Sequence, residues 1–380
     1  MLGILILILS IYVSYTKKRE WHFFLYNIIV LTLIYLYGIQ NYEALYQVEP
    51  KTSDTYLYHT AFKAYISDIH NYLFYQYPLF LKILIYPFQN AFFALIVQSN
   101  IIFFLLMLIT KNWNDLYFFI LYTNHTLIFT TVNFFKDNYI IILGLSGIYL
   151  LQKTKNKIYQ SIILFFTIYL IDMVRPFFKF FYFLIILPFL KNERIQKKHL
   201  FLLYSLIFLL IAAVFLIYSQ TIFSVLDKLG SSGDSSPGFS ITSPIRALFG
   251  PTPIRYLFHK NYFAQPFLGS QGYLYYFLHI LFYLTFPIIL IIFMLDIKKY
   301  FYLNNINTDS LFSFSISFLT FAVYQVVYGS ADIRQRAVIL TFFVFFVLNE
   351  TKIKISKIKE YKFIYGLILV FEALLSYISL

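Results

Sequence analysis

Cysteine is absent from this chain of 380 residues, and charged residues make up only 12% of it. The absence of cysteine excludes disulfides, a thiolate nucleophile and cysteine-ligated metal sites. Soluble domains carry about 25% charged residues, so the low charge content argues against a soluble domain. Hydrophobic residues instead make up 60% of the chain. Apolar runs long enough to cross a bilayer of about 30 Å recur along its whole length.

These apolar runs predict an all-α fold, a polytopic integral-membrane helix bundle with about 11–12 transmembrane helices. The predicted spans include residues of about 2–15, 91–110, 116–132, 159–174, 200–219, 311–328 and 337–349. We expect residues 1–380 to form one integral domain, without an internal repeat. Two more polar stretches, at about 40–78 and about 220–270, are expected to be larger extracytoplasmic loops. The second is rich in Gly, Ser and Pro, which is typical of a mobile segment over an active-site mouth and equally of a plain connector.

The net charge of +13 comes from short basic runs between the apolar segments. Such a distribution disfavours a nucleic-acid partner, which would require one basic soluble face. If the spans alternate, the runs all fall on one side, and the positive-inside rule makes that side cytoplasmic. Richness in Ile, Phe, Tyr, Lys and Asn suggests a bacterial source, so the predicted location is the bacterial inner membrane. The runs are Lys17–Arg19, Lys111, Lys153–Lys157, Lys191–Lys198, Lys298–Lys299 and Lys352–Lys362.

The stretch 51–88 is the first long segment between spans that can reach water, and it contains Asp54. Asp54, Tyr58 and Ala61 share one helical face by their spacing. A carboxylate beside a hydrophobic bundle is partly desolvated, which raises its pKa and suits it to general-base catalysis. Alternatively, Asp54 is the N-cap of a helix that starts at Thr55, and the two roles are compatible.

His59, Asp68 and His70 lie in the same stretch. A metal site built from them is conceivable, but their spacing matches no standard ligand pattern. Solvated loop side chains are the preferred interpretation, so we expect neither a metal nor another cofactor.

Isolated charges mark the opposite side of the predicted bundle, at the mouths of the spans. Ionisable residues at membrane depth are costly, so they are usually paired or functional. Lys136 with Asp137, or Asp172 with Arg175, would form neutralising pairs. The planar fork of arginine also suits phosphate oxygens, whereas snorkelling at the interface fits lysine better. The candidate phosphate-binding residues are Lys136, Arg175, Arg246, Arg255, Arg334 and Arg336.

Several of these short motifs together resemble a family. Asp54, Tyr58 and His59, followed by Tyr77-Pro78, are similar to the first external loop of GT-C-fold glycosyltransferases. The charges at the span mouths also resemble those of Wzy-like and EpsG-like polysaccharide polymerases. The chain departs from the GT-C pattern at Asp54, which has Ser53 and Thr55 beside it instead of a second acid.

The resemblance implies a glycosyltransferase or polymerase of bacterial surface polysaccharide, such as O-antigen or capsule. The donor would be a sugar or oligosaccharide on a polyprenyl phosphate or diphosphate, and the acceptor a glycan or lipid-linked hydroxyl on the outer side. Asp54 would deprotonate the acceptor, supported by Tyr58, His59 and Asp137. The arginines would hold the leaving phosphate and stabilise its charge.

Two other classes remain open from the residues. A transporter or flippase of lipid-linked oligosaccharide would use the same arginines to grip a diphosphate, but it should show charges buried in mid-span and repeat symmetry. A membrane acyltransferase would need a histidine at membrane depth, for which His125 and His279 are the candidates.

Overall fold

The computed structural model describes residues 2–37, 54–63, 76–110, 115–175, 178–186, 273–302, 333–350 and 359–378. All regular secondary structure in these ranges is helical, which confirms the all-α prediction for them. The helices are α1 (Leu2–Thr16), α2 (Glu20–Tyr37), α3 (Asp54–Lys63), α4 (Gln76–Ile85), α5 (Ala91–Ile109), α6 (Asp115–Thr123), α7 (His125–Thr131), α8 (Asp137–Lys153), α9 (Lys157–Val174), α10 (Phe178–Ile186), α11 (Tyr273–Tyr302), α12 (Ile333–Glu350) and α13 (Lys362–Ile378).

Three helical stretches are long and apolar enough to span a membrane, namely Ala91–Ile109, Lys157–Val174 and Phe277–Leu295. Shorter apolar helices cover Leu2–Thr16, Glu20–Tyr35 and Arg336–Asn349. Membrane association is therefore supported, whereas the count of about 11–12 spans stays a prediction. The proposed spans near 200–219 and 311–328, and the proposed loop at 220–270, lie outside the described residues.

Helix α5 is the central helix of the N-terminal half. It packs against α1, α2, α4 and α8. Its middle carries buried polar side chains among the apolar ones, and these find partners in neighbouring helices. The amides of Asn100 and Asn27 donate to each other at 2.8 and 3.3 Å, which satisfies both groups away from water.

Helix α12 is buried on every side from Arg336 to Asn349. It packs against α7, α8 and α11. The contact with α8 is close because Gly144 has no side chain: a Cβ there would lie 2.5 Å from Cζ of Phe342 and 3.2 Å from a ring carbon of Tyr182. A helix that is apolar all round belongs in the interior of a bundle.

Several basic residues of the described helices gather at one end of the bundle. Helices α1 and α5 run in the same direction, since Gly3 lies beside Val97 and Ser14 beside Met107. Beyond α1, Lys17 Nζ donates to the carbonyl oxygen of Met107 at 2.6 Å. Burial and the charge of Lys153, at the end of α8, lower the pKa of Lys17.

We call this the lysine end of the bundle, and the opposite end, where α8 begins, the Asp137 end. The guanidinium of Arg19 also lies at the lysine end, over the ring of Phe118 at 5.6 Å. The structure thus brings Lys17, Arg19 and Lys153 to one end, as the alternation of basic runs predicts.

Candidate functional site

Helices α3 and α4, from the segment singled out in the sequence, pack on each other at the Asp137 end. The Tyr58 and Tyr77 rings meet edge to face, with 5.6 Å between their centroids. Tyr77, in turn, lies within electrostatic range of Asp137 and close to Asn138. The stretch predicted as an external loop, about 40–78, thus contains α3, the helix expected from Thr55, and the start of α4.

His59 is only 6% exposed and stacks on the Phe134 ring, with 5.8 Å between centroids. The expectation of a solvated loop histidine is therefore wrong, because the docking of α3 removes this side chain from water. Burial, followed by the positive charge of Lys63, lowers the pKa of the imidazole to about 4. His59 is consequently neutral at pH 7.

Buried amides hold the connection between α7 and α8. Tyr77 donates its hydroxyl proton to the side-chain oxygen of Gln98. The amide nitrogen of Gln98 donates to the carbonyl oxygens of Thr131 and Asn133, at 3.0 and 3.3 Å. Asn138 donates to the carbonyl oxygen of Asn133 as well, at 3.1 Å. These bonds satisfy backbone groups between two helices and fix the place where α8 starts.

Asp137 and Arg175 form an ion pair at this place. Nε of Arg175 lies 3.0 Å from Oδ1 of Asp137, and an Nη2 hydrogen bond reaches Oδ2 at 3.4 Å. The Asp137 side chain is fully buried, whereas that of Arg175 is 20% exposed. Two sides of the guanidinium fork thus face a buried carboxylate, and the remaining N–H groups are directed away from it.

Arg175 owes its position to the end of α9, where it is the C-cap residue. The sequence suggested neutralising pairs of Asp172 with Arg175 or of Lys136 with Asp137. In the structure Arg175 pairs with Asp137, and Asp172 pairs with Lys179 at 2.8 Å, one helix further on. Lys136 is the N-cap residue of α8 and is half-buried.

A second polar cluster lies deeper, where α7, α11, α12 and α13 carry His125, His279, Arg336 and Glu372. All four residues are at most 3% exposed. The two imidazole rings stack with centroids 3.7 Å apart and an interplanar angle of 21°. Arg336 lies within electrostatic range of His125 and of Glu372. We call these four residues the buried histidine cluster.

The buried histidine cluster adjoins a break in a helix that the sequence predicts as one continuous span. Asn124, between α6 and α7, is non-helical (φ −64°, ψ 83°), and its side chain accepts hydrogen bonds from the backbone N–H of Leu127 and the hydroxyl of Thr126. The interruption therefore has its own capping interactions. His125 is the first residue after it.

Burial argues against one interpretation of Arg336, and its role in phosphate binding stays a prediction. Interfacial snorkelling would leave its guanidinium in water, whereas the residue is 2% exposed. The other predicted residues are only partly observed. Asp54 and Arg334 lie at the starts of α3 and α12, but their side chains fall outside the described part. The other predicted residues that lie wholly outside it are Asp68, His70, Arg246 and Arg255.

Among the described residues, no group of three or more His, Asp or Glu side chains is arranged to hold a metal ion. The stacked rings of His125 and His279 are face to face. This geometry does not converge two ring nitrogens on a common point, as a shared ligand position requires.

Comparisons with protein-family models, with curated proteins and with solved structures gave no match.

Three buried polar residues were not identified from the sequence, namely Gln98 and Asn138 near the start of α8 and Glu372 in the buried histidine cluster. Glu372 carries a usable signal, because it is a lone carboxylate in the apolar run 363–378. An ionisable residue in such a run is a functional candidate by default. Gln98 and Asn138 carry no comparable signal, since isolated amides are common in apolar helices.

Proposed function

We propose that the protein is a multi-pass glycosyltransferase of the bacterial inner membrane, acting as a polymerase of surface polysaccharide such as O-antigen or capsule. Its donor is a sugar or oligosaccharide carried on polyprenyl phosphate or diphosphate, and its acceptor is a glycan or lipid-linked hydroxyl. The reaction takes place on the extracytoplasmic side, which we assign to the Asp137 end. This assignment rests on the gathering of basic residues at the opposite end.

The observation that carries the proposal is the Asp137–Arg175 pair at the start of α8. A buried carboxylate holds a partly exposed guanidinium in one orientation. An arginine fixed in this way offers its free N–H groups to phosphate oxygens without losing further side-chain freedom. Helix α3 begins at Asp54, one helical turn before Tyr58.

In the proposed reaction the acceptor hydroxyl oxygen attacks the anomeric carbon of the donor sugar. The bond from that carbon to the phosphate oxygen breaks, and the carrier phosphate leaves with the electron pair. Asp54 takes the hydroxyl proton as general base. The leaving phosphate gains negative charge, which Arg175 and Arg336 stabilise, together with Lys136, Arg334, Arg246 and Arg255.

A gel of surface polysaccharide tests this proposal. The gene is deleted in its own host and replaced by the wild type, by Asp54→Asn or by Asp172→Asn, the last being a matched control in an exposed ion pair. We expect a ladder from the wild type and the control, and a single core-plus-one-unit band from Asp54→Asn. A full ladder from Asp54→Asn at equal membrane abundance would remove Asp54 from catalysis.

A flippase of lipid-linked oligosaccharide is the second candidate, and the buried histidine cluster favours it. Charged residues buried among helices and a broken helix beside them are features of transporters. The same deletion strain separates the two functions. Loss of a flippase would accumulate lipid-linked precursors on the cytoplasmic side, whereas loss of a polymerase would leave single units on finished core.

A further inference from the structure

The side chain of Gln98 is fully buried on α5, and its hydrogen bonds reach other elements of the fold. The next residue, Ser99, donates to the carbonyl oxygen of Leu95, one turn back in the same helix. The three hydrogen bonds described for the Gln98 side chain instead leave α5. A buried amide that bonds across elements fixes their relative positions, whereas a side chain bonded to its own turn does not.

These three bonds also determine which way the Gln98 amide points. Tyr77 of α4 donates its hydroxyl proton to Oε1, and Nε2 donates to the carbonyl oxygens of Thr131 and Asn133. Exchanging the two amide atoms would place the amide oxygen against two carbonyl oxygens, and none of these three oxygens is able to donate. The Tyr77 hydroxyl therefore favours the orientation in which Gln98 holds the connection between α7 and α8.

The carbonyl oxygen of Asn133 is the point where this connection is held. It accepts hydrogen bonds from Nε2 of Gln98 at 3.3 Å, from Nδ2 of Asn138 at 3.1 Å and from the backbone N–H of Phe135 at 3.0 Å. Asn138 lies in the first turn of α8, and Asp137 is the residue before it. The bonds that fix Asn133 therefore also fix the place of Asp137.

The ion pair of Asp137 with Arg175 depends on this placement. The Asp137 side chain is fully buried, whereas the Arg175 side chain is 20% exposed and has water as an alternative partner. Nε and Nη2 of Arg175 lie 3.0 and 3.4 Å from the two carboxylate oxygens, and a shift of about 1 Å in the carboxylate would break this two-point contact. The carboxylate thus orients the guanidinium, and the connection held by Gln98 places the carboxylate.

We propose that Gln98 is a positioning residue for Arg175, acting through the α7–α8 connection and Asp137. Through Tyr77, the same amide joins this connection to α4, the helix on which α3 packs. In taking Arg175 as a group that holds the carrier phosphate, and α3 as the helix that carries the general base, the inference rests on the proposed function. Gln98 then links the two halves of the site without touching a reacting atom.

Modification of arginine by phenylglyoxal tests the inference on the purified full-length protein. Peptide mapping by mass spectrometry gives the reaction rate at Arg175 and, in the same sample, at Arg19, which is partly exposed at the lysine end. Gln98→Met removes the amide at similar side-chain length. It should raise the ratio of the Arg175 rate to the Arg19 rate about fivefold, the effect of losing buried hydrogen bonds that hold the pair together. Asp137→Asn gives the ratio for an arginine released from its ionic partner.

Asn100→Leu is the matched control for the loss of a buried amide. Asn100 is also fully buried on α5, but its side chain bonds to Asn27 of α2 and not to the α7–α8 connection. We expect this variant to keep the rate ratio of the wild type, whereas a general loosening of the bundle would raise the ratio in both variants. Gln98→Leu provides a second variant at the tested position, and size-exclusion chromatography confirms that each protein is folded.

The outcomes separate this inference from the proposed function. An unchanged ratio in the Gln98 variants, or an equal rise in Asn100→Leu, overturns the inference. The polysaccharide gel is the separate test of function, and we expect Gln98→Met to shorten the ladder and Asn100→Leu to preserve it. A full ladder from a Gln98 variant in which Arg175 is released would show that Arg175 is not needed for transfer. That result contradicts the proposed function and leaves the positioning by Gln98 intact.

Discussion

The Asp137–Arg175 pair and the buried histidine cluster both hold ionisable side chains inside the bundle, but they differ in composition and in exposure. The pair matches one cation with one anion, and the arginine reaches the surface. The cluster holds three groups that can be cationic against one carboxylate, and none of them reaches the surface. The pair contains one cation and one anion, whereas the cluster contains two imidazoles, the side chains whose charge most readily changes with pH. The pair is therefore suited to holding the guanidinium of Arg175 in one orientation, and the cluster to changing its protonation state with pH.

Replacing Glu372 should have the largest effect on the fold. Glu372→Gln removes the carboxyl group that lies within electrostatic range of the buried guanidinium of Arg336, and weakening the environment of a buried charged group costs about 3 kcal/mol or more. We expect a correspondingly lower unfolding temperature in a tryptophan-fluorescence melt. A variant as stable as the wild type would show that Glu372 does not neutralise Arg336.

Arg175→Ala should have the next largest effect, about 2–3 kcal/mol, because it strands the fully buried carboxylate of Asp137. Asp137→Asn should cost less, since its neutral amide is easier to bury and Arg175 is able to turn toward water. The exposed pair provides the matched control: Lys179→Ala should cost about 1 kcal/mol or less. Denaturant titration of the three variants checks the order, and equal losses from Arg175→Ala and Lys179→Ala would contradict it.

Gly144→Ala tests the helix contact that joins the two clusters. The added methyl group would lie 2.5 Å from the Phe342 ring, which is itself buried, so α12 must shift away from α8. Overpacking of this kind costs about 1–3 kcal/mol. Gly366→Ala is the matched control, because a Cβ there meets no atom within 4 Å. Similar melting temperatures for both variants would show that α8 and α12 are not in tight contact.

The smallest expected effect concerns pH. The His59 imidazole has a pKa of about 4 in the fold and 6.5 in the unfolded chain. Between these values the unfolded chain binds the extra proton, so the free energy of unfolding falls as the pH drops from 6.5 toward 4. His59→Phe, which preserves the stacking on Phe134, should flatten this part of the pH profile. An unchanged profile would assign the acid sensitivity to other groups.

The positions of the helices were largely predictable, whereas the contacts between them were not. Apolar runs located α1, α5, α9 and the start of α12 to within a few residues, since bilayer-length apolar segments are a strong local signal. The break at Asn124 was missed, because a single asparagine in an apolar run does not reveal its capping hydrogen bonds.

The candidate residues were found by type and misjudged by partner. Arg175 was expected at the mouth of a span with Asp172 as one possible partner, but its partner Asp137 lies 38 residues away instead of three. His125 and His279 were each noted alone, and only the tertiary fold stacks them. His59 was expected in water because the docking of α3 against Phe134 is not visible in the local sequence.

The complete burial of α12 has a consequence for biosynthesis. A helix with no surface of its own reaches its place only when the helices around it leave a slot open. Helices α7, α8 and α11 are synthesised before α12. Until α12 is inserted, the faces of these helices that contact it are not covered by it. The insertion of α12 is then the step that brings Arg336 to the two histidines. Arg336 therefore joins the buried histidine cluster late in synthesis, after most of the surrounding helices have been made.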